Sequence, residues 1–343
     1  MTPERLQEIA GRYGKLRIAI VGDFCLDRYL EIDPARAEVS IETGLPVYNV
    51  TRVRSQPGAA GTILNNLVAL GIGEIFPVGF CGDDGEGYEL LRALGAVRGV
   101  NPTHFFQTPA RRTFTYCKPL VLEPGQPPRE LNRLDSKNWT ATPPEVAGRI
   151  AHSLEKLRAV VDAVILMDQV DIEETGVVTR SVLARVESLE RKGAPIPVLA
   201  DSRRGLRGYP SVIFKMNAAE LSSLTRMPVQ SSVEEIRRAA VRLAEQNRRA
   251  VFVTLAERGL VGALPDGRSE HVPALALRGA IDVVGAGDSV TANLATALAA
   301  GAEVREALSI AALASSIVIH QLGTSGSASV AQMGALLAGV PRA

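Results

Sequence analysis

Short apolar runs alternate with helical patterns along most of this chain, and that alternation limits the fold more than any other feature. The run Arg17 to Val21 (RIAIV) stops at Gly22-Asp23, and similar runs recur at Ile75 to Phe80, Ala163 to Leu166, Pro197 to Ala200, Val212 to Phe214 and Val251 to Thr254. Runs without polar alternation predict strands buried on both faces. Helical spacing of apolar residues lies between most of them, at Thr62 to Leu70, Glu86 to Leu94, Glu145 to Leu157, Glu173 to Arg191 and Val233 to Gln246. The order predicts an α/β fold with a central, mostly parallel sheet flanked by helices on both faces.

Two stretches break the rhythm. Residues of about 32–54 and 103–135 carry short alternating runs and no convincing helix, with Thr113 to Leu122 and Glu130 to Leu134 as candidate strands. Both are expected to be excursions that form a small β lid over the carboxyl edge of the sheet, with EPGQPP (Glu123 to Pro128) at a hairpin tip. From Ser289 the chain is alanine-rich and expected to be helical to its end. No linker divides the 343 residues, so one domain spanning 1–343 is expected.

Composition excludes several function classes. A net charge of +1 gives no basic field for nucleic acid or an anionic membrane. Cys25, Cys81 and Cys117 are odd in number and lack a CxxC pair, which argues against a disulfide scaffold or a zinc site. Charges are spread through the first sixteen residues, and no stretch approaches the ~20 apolar residues of a membrane span. The expected setting is therefore the cytoplasm.

The densest chemistry lies at Asp282-Val283-Val284-Gly285-Ala286-Gly287-Asp288, followed by small and apolar residues at helical spacing. A Gly-Ala-Gly turn that opens a helix points backbone N–H groups at an anion, with the helix dipole behind them. Asp288 falls in the first turn, where a carboxylate can take the proton of a hydroxyl attacking phosphorus. Asp282, one turn earlier, can hold a cation or orient the loop. On the motif alone, an N-capping aspartate after a flexible turn is an equal alternative. The chain has no G-x-x-x-x-G-K-[ST], no H-R-D set, and no G-x-G-x-x-G after the first strand. The last absence weighs against a nicotinamide-dependent dehydrogenase.

IDVVGAGDS resembles the C-terminal signature of the phosphofructokinase B, or ribokinase-like, carbohydrate kinases. Other strings are similar to that family in the same order. SQPGAAGTILNNLVALG (Ser55 to Gly71) resembles its glycine-rich signature, and VGDFCLDRY its first-strand loop. VGFCGDDGEG resembles its second Gly-Asp loop, FKMNAAEL its N-x-x-E motif, and TLAERG its nucleotide-binding loop. Within the family, GDFCLDRY, VSIETGLPV, RLD, DSRRGLRGY and HQLGTSG resemble the heptose 7-phosphate kinase domain of ADP-heptose synthases. The nucleotidyltransferase domain often fused to such kinases is not expected here.

The resemblance implies a ribokinase-like fold, ATP and Mg2+ as cofactor, and a sugar or sugar phosphate as acceptor. It also allows a monovalent cation near Asp282, and it implies a homodimer paired through its lids. It makes Asp288 the catalytic base and the N–H groups of Gly285, Ala286 and Gly287 an anion hole. It assigns Asp27, Gly58, Ala59 and Thr62 to the sugar, with Lys118 and Arg133 as lid cations for a substrate phosphate. Asn217, Glu220, Thr254 and Gly259 fall on the nucleotide side, with Glu220 and Asp282 as metal candidates. The bottom-up alternative for Asn217 and Glu220 is a helix cap, and both roles can coexist. The departures gather on the acceptor side: Ala59 replaces a glycine, Thr62 an asparagine, and Gln169-Val170 follows Asp168 where a tyrosine and a lysine-bearing loop are usual. A non-catalytic sugar- or nucleotide-binding protein on the same fold is the rival reading.

Overall fold

The computed structural model describes residues 1–192, 196–228 and 230–339. Nine strands form the large sheet, in the order Ser269–Val272, Leu260–Ala263, Val251–Thr254, Ile213–Asn217, Val198–Ser202, Ala163–Asp168, Arg17–Gly22, Glu74–Gly82 and Phe105–Thr108. All pairings are parallel except the two at the Ser269–Val272 end, which are antiparallel. Both faces are covered. Ile18 and Ile20 point into one core with Leu6, Ile63, Leu294 and Ile310. Ala19 and Val21 point into the other with Ile150, Val182 and Ile236, as the two-residue period of a strand requires.

Local chemistry explains most boundaries. The helix Gly85–Gly95 starts where the Asp84 side chain accepts the Gly87 N–H, and Val233–Asn247 starts on a Ser232/Glu235 capping box. The helix Ala60–Leu70 ends at Gly71, whose φ of 78° suits glycine.

Three sequence expectations are corrected. The helix expected from Glu173 begins only at Arg180. Gly176 packs against Asp23, and Val177 donates its N–H to Asp23 Oδ1 at 2.7 Å. These tertiary contacts outweigh the helical pattern of the preceding residues. The expected strand Glu130 to Leu134 is split into Arg129–Glu130 and Leu134–Ser136. The C-terminal helical stretch breaks after Val318 and resumes at Val330–Leu337, so the described part holds three helices, the first two being Ala286–Ala299 and Val304–Val318. Residues 340–343 of that expectation lie outside the described residues.

A second sheet grows out of an interior strand of the first, the third from its Phe105–Thr108 edge. Its order is Leu134–Ser136, Thr115–Val121, Phe24–Ile32 and Val50–Ala59, with Arg129–Glu130 added beside Thr115–Val121. Its central strand Phe24–Ile32 follows Arg17–Gly22 with only Asp23 between them. The strands thus start at Phe24, ahead of the 32–54 stretch. Glu38–Val39 and Pro46–Val47 pair separately as a short ribbon. Among the described residues, no helix is long and apolar enough to cross a membrane.

Candidate active site

The helix Ala286–Ala299 begins at the glycine turn. Gly285 is its N-cap with φ of 80°, a conformation that suits glycine and aims the following N–H groups outward. Thr62 lies against this turn, 3.4 Å from the point a Cβ on Gly285 would occupy. The two glycine-rich signatures, more than two hundred residues apart, therefore meet. Asp288 sits half-buried in the first helical turn. Burial, then the charge of Asp201, lifts its carboxyl to about 7, with Lys215 offsetting part of the rise and Asp27 adding to it.

Sequence reasoning missed the residues beneath this turn. Lys215 is 6% exposed in the middle of strand Ile213–Asn217. Its Nζ donates to Asp201 Oδ2 at 2.7 Å, and Thr291 Oγ1 donates to the same oxygen at 2.7 Å. A Cβ on Gly287 would stand 3.2 Å from Lys215 Nζ, so the glycine lets the ammonium approach the backbone of the turn. Burial opposes the charge on Lys215, but Asp201, Asp288 and Glu220 together raise its pKa. The signal available in the sequence was a lysine inside the otherwise apolar run VIFKM.

On the second sheet, Asp27 is buried, with Oδ1 3.4 Å from Lys118 Nζ. Burial raises its pKa against the pull of Lys118 and Arg133. Gly58 lies directly under this carboxylate, where a Cβ would come 2.5 Å from Asp27 Oδ2. Lys118 also reaches the Tyr29 hydroxyl at 3.4 Å and lies over its ring. Arg133 is exposed, bonded to Asp135 at 2.6 Å and stacked over Tyr116. Ala59 adopts φ 54°, ψ −114° as it enters helix Ala60–Leu70. A non-glycine residue is strained there.

Asn217 and Thr254 are register partners at the ends of adjacent strands. Asn217 Oδ1 accepts the Glu220 N–H at 2.9 Å, and Glu220 Oε2 accepts the Asn217 N–H at 2.7 Å, a complete capping box. Burial raises the Glu220 carboxyl, while the Asn217 N–H and Lys215 lower it. Gly259 closes the loop after Thr254 with φ of 92°, where a Cβ would strike Val272 O at 2.1 Å. Asp282 spends both carboxylate oxygens on backbone, accepting from Val284 N at 3.0 Å and Gly323 N at 3.1 Å. Among the described residues, no group of three or more His, Cys, Asp or Glu is placed to hold a metal.

The meeting of Asp23, at the end of the first strand, with Asp168 in a second buried acidic cluster also escaped sequence reasoning. Asp23 accepts N–H groups of Gln169 and Val177, and burial beside Asp168 lifts its carboxyl to about 7. Asp168 Oδ2 takes Ser202, Arg204 and Tyr209. These groups brace the strand ends below the site.

The chain matches the profile of the pfkB family carbohydrate kinases over residues 17–331. It is 30% identical over 327 residues to the bifunctional protein HldE of Geotalea uraniireducens and 31% over 320 residues to that of Rhodospirillum rubrum. These alignments take in 95% and 93% of this chain but 64% and 62% of the relatives, so the chain spans a little under two thirds of their length. Phosphofructokinase-2 of Escherichia coli, solved with fructose-6-phosphate, aligns with a TM-score of 0.72 at 16% identity, covering 95% of this chain and 100% of its own. Ribokinase of Arabidopsis thaliana, solved with ribose and ATP, aligns at 0.67 and 21%, covering 94% and 98%. A parallel sheet whose strand ends carry this turn, and a profile match across nearly the whole chain, lead to one conclusion: the protein belongs to the pfkB family of carbohydrate kinases.

Proposed function

We propose that this chain transfers the γ-phosphoryl group of ATP to a hydroxyl of a sugar or sugar phosphate, with Asp288 as the general base. One observation carries the reading: Asp288 stands at the N-terminus of a helix, beside the outward N–H groups of the glycine turn, within electrostatic reach of Asp27 on the second sheet. The acceptor oxygen loses its proton to the Asp288 carboxylate and forms a bond to the γ-phosphorus. The bond from that phosphorus to the β–γ bridging oxygen breaks, and ADP leaves with the electron pair. The N–H groups of Gly285 to Asp288 meet the developing charge. A carboxyl lifted to about 7 is suited to a base that must release its proton again near neutrality.

Asp27, with Gly58 clearing space beneath it and Lys118 beside it, binds acceptor hydroxyls; the second sheet acts as the lid. Asn217, Glu220, Thr254 and Gly259 line the nucleotide side. Mg2+ needs only one or two protein carboxylates when phosphates supply the rest, so Glu220 suffices to hold it there. Bound Mg2+ would neutralise phosphate charge. Asp282 suits a monovalent cation less well, because both oxygens already face backbone donors.

The test is ATP consumption across a panel of sugars and sugar phosphates, heptose 7-phosphate included. Asp288→Asn should lower kcat on the best acceptor about a hundredfold or more while ATP still binds. Near-normal turnover by that variant would remove Asp288 from the mechanism. The departures at Ala59 and Thr62 predict that heptose 7-phosphate is not the best acceptor.

A further inference from the structure

Lys215 has no place in the mechanism above, yet it is the most deeply buried cation near the site. It is 6% exposed, and an ammonium is rarely kept from water without a task or a full set of partners. Its ion pair with Asp201 is anchored on two sides. Asp201 Oδ2 binds Lys215 at 2.7 Å and Thr291 at 2.7 Å, and Thr291 lies one helical turn beyond Asp288. The pair thus joins strand Val198–Ser202, strand Ile213–Asn217 and helix Ala286–Ala299 at one point. An ammonium has three N–H donors, and Asp201 takes one. Above it is Gly287, where a Cβ would stand a tight 3.2 Å from Nζ, so the bare glycine gives the ammonium room against the turn.

We infer that Lys215 is the fixed positive charge of the phosphoryl site, held by Asp201 and Thr291 against the Gly285–Asp288 turn so that its remaining N–H groups meet the transferring phosphoryl from below. The inference rests on the kinase reading and deepens it. In the transfer, the proton still goes to Asp288 and the electron pair still leaves with ADP; Lys215 forms no bond and gives up no proton. Its charge offsets the charge that gathers on the phosphoryl oxygens, where a preorganised donor acts most strongly. It also sets how readily Asp288 ionises. The charged and titratable groups facing Asp288 are Asp201 and Lys215 from the large sheet and Asp27 and Cys25 from the second sheet, and Glu220 bears on Lys215 from helix Ala218–Thr225.

Four variants test this: Lys215→Met, Lys215→Arg, Asp201→Asn and the double variant Lys215→Met/Asp201→Asn. Steady-state kinetics with ATP and the best acceptor should show kcat falling about a hundredfold for Lys215→Met, partly restored in Lys215→Arg. Lys215→Met leaves Asp201 buried and unpaired, so its fold can fail; the double variant removes both charges and avoids that cost. If Lys215 serves only to neutralise Asp201, the double variant recovers wild-type kcat, and the inference is overturned. The acid limb of the pH profile should move up by about one pH unit in Lys215→Met and down in Asp201→Asn. A carbon-13 titration of the Asp288 carboxyl reads the same opposed shifts without turnover, with Asp288→Asn assigning the signal. An Asp288 titration unmoved by either variant overturns the inference even if the chain proves inactive. A wild-type chain inactive on every acceptor defeats the kinase reading instead.

Discussion

Asp288→Asn should make the folded chain more stable at pH 8, although it removes the proposed base. Burial and the charge of Asp201 raise this carboxyl from the ordinary 3.8 to about 7 in the folded chain, with Lys215 offsetting part of the rise. The unfolded chain ionises the same group near pH 4. The folded state therefore binds the proton more tightly, and that advantage is full in acid and lost progressively as pH rises to about 7. At about 1.4 kcal/mol for each tenfold, the whole rise is equivalent to about 4 kcal/mol. Asp288 is half-buried, so screening by water reduces this to about 2 kcal/mol. Asparagine has nearly the same shape and no charge to bury. The variant should outlast the wild type by about 2 kcal/mol at pH 8, roughly 2–5 °C in Tm, and the gap should shrink below about 1 kcal/mol at pH 5 as the wild-type carboxyl keeps its proton. Paired thermal unfolding at the two pH values measures it. A gap that does not change with pH, or a variant less stable at pH 8, would refute the placement of Asp288 in a water-poor pocket beside Asp201.

Two further outcomes are expected. Glu220→Gln should reduce Mg2+-dependent turnover more than Mg2+-free nucleotide binding, measured by kinetics and calorimetry, because a carboxylate beside phosphates acts through the hydrated cation; equal losses would leave it only the capping box with Asn217. Ala59→Gly should stabilise the chain by about 1 kcal/mol in denaturant unfolding, since relief of an unfavourable positive φ exceeds the entropy that glycine adds to the unfolded chain. No gain would show that the surrounding sheet already compensates the strain.

Local and distant information separate cleanly along this chain. Six of the nine strands of the large sheet could be read because a parallel strand buried on both faces is a continuous apolar run, as in Ala163–Asp168; Phe105–Thr108, which falls in the stretch expected to join the lid, and the antiparallel Leu260–Ala263 and Ser269–Val272 were not. The turn at Gly285 could be read because its glycines and the helix after it are contiguous. Glu173 to Thr179 could not, because Asp23, about 150 residues earlier, decides that backbone through its bonds to Gln169 and Val177. The Lys215–Asp201–Thr291 contact joins residues 14 and 90 positions apart, and no local spacing encodes it. The positive φ at Ala59 was equally hidden, since alanine carries no hint of it. The split of residues 129–136 into two short strands reflects a turn at the edge of the second sheet, where pairing outweighs pattern.

The single residue between the two sheets sets how the acceptor side can move. Asp23 has its N–H on Met167, its carbonyl on Ala60 and its carboxylate on Gln169 and Val177, so it is clamped on every side. A segment that is an interior strand of both sheets, with no slack at the joint, acts as a lever on a short pivot. At about 3.3 Å per residue, Asp27 rides ~13 Å from that pivot and Ile32 ~30 Å. A rotation of about 10° would carry Ile32 through roughly 5 Å and Asp27 through only about 2 Å, from the same strand geometry. The far end of that strand can therefore sweep widely over an entering ligand, while the Asp27 carboxylate shifts by less than the length of a hydrogen bond.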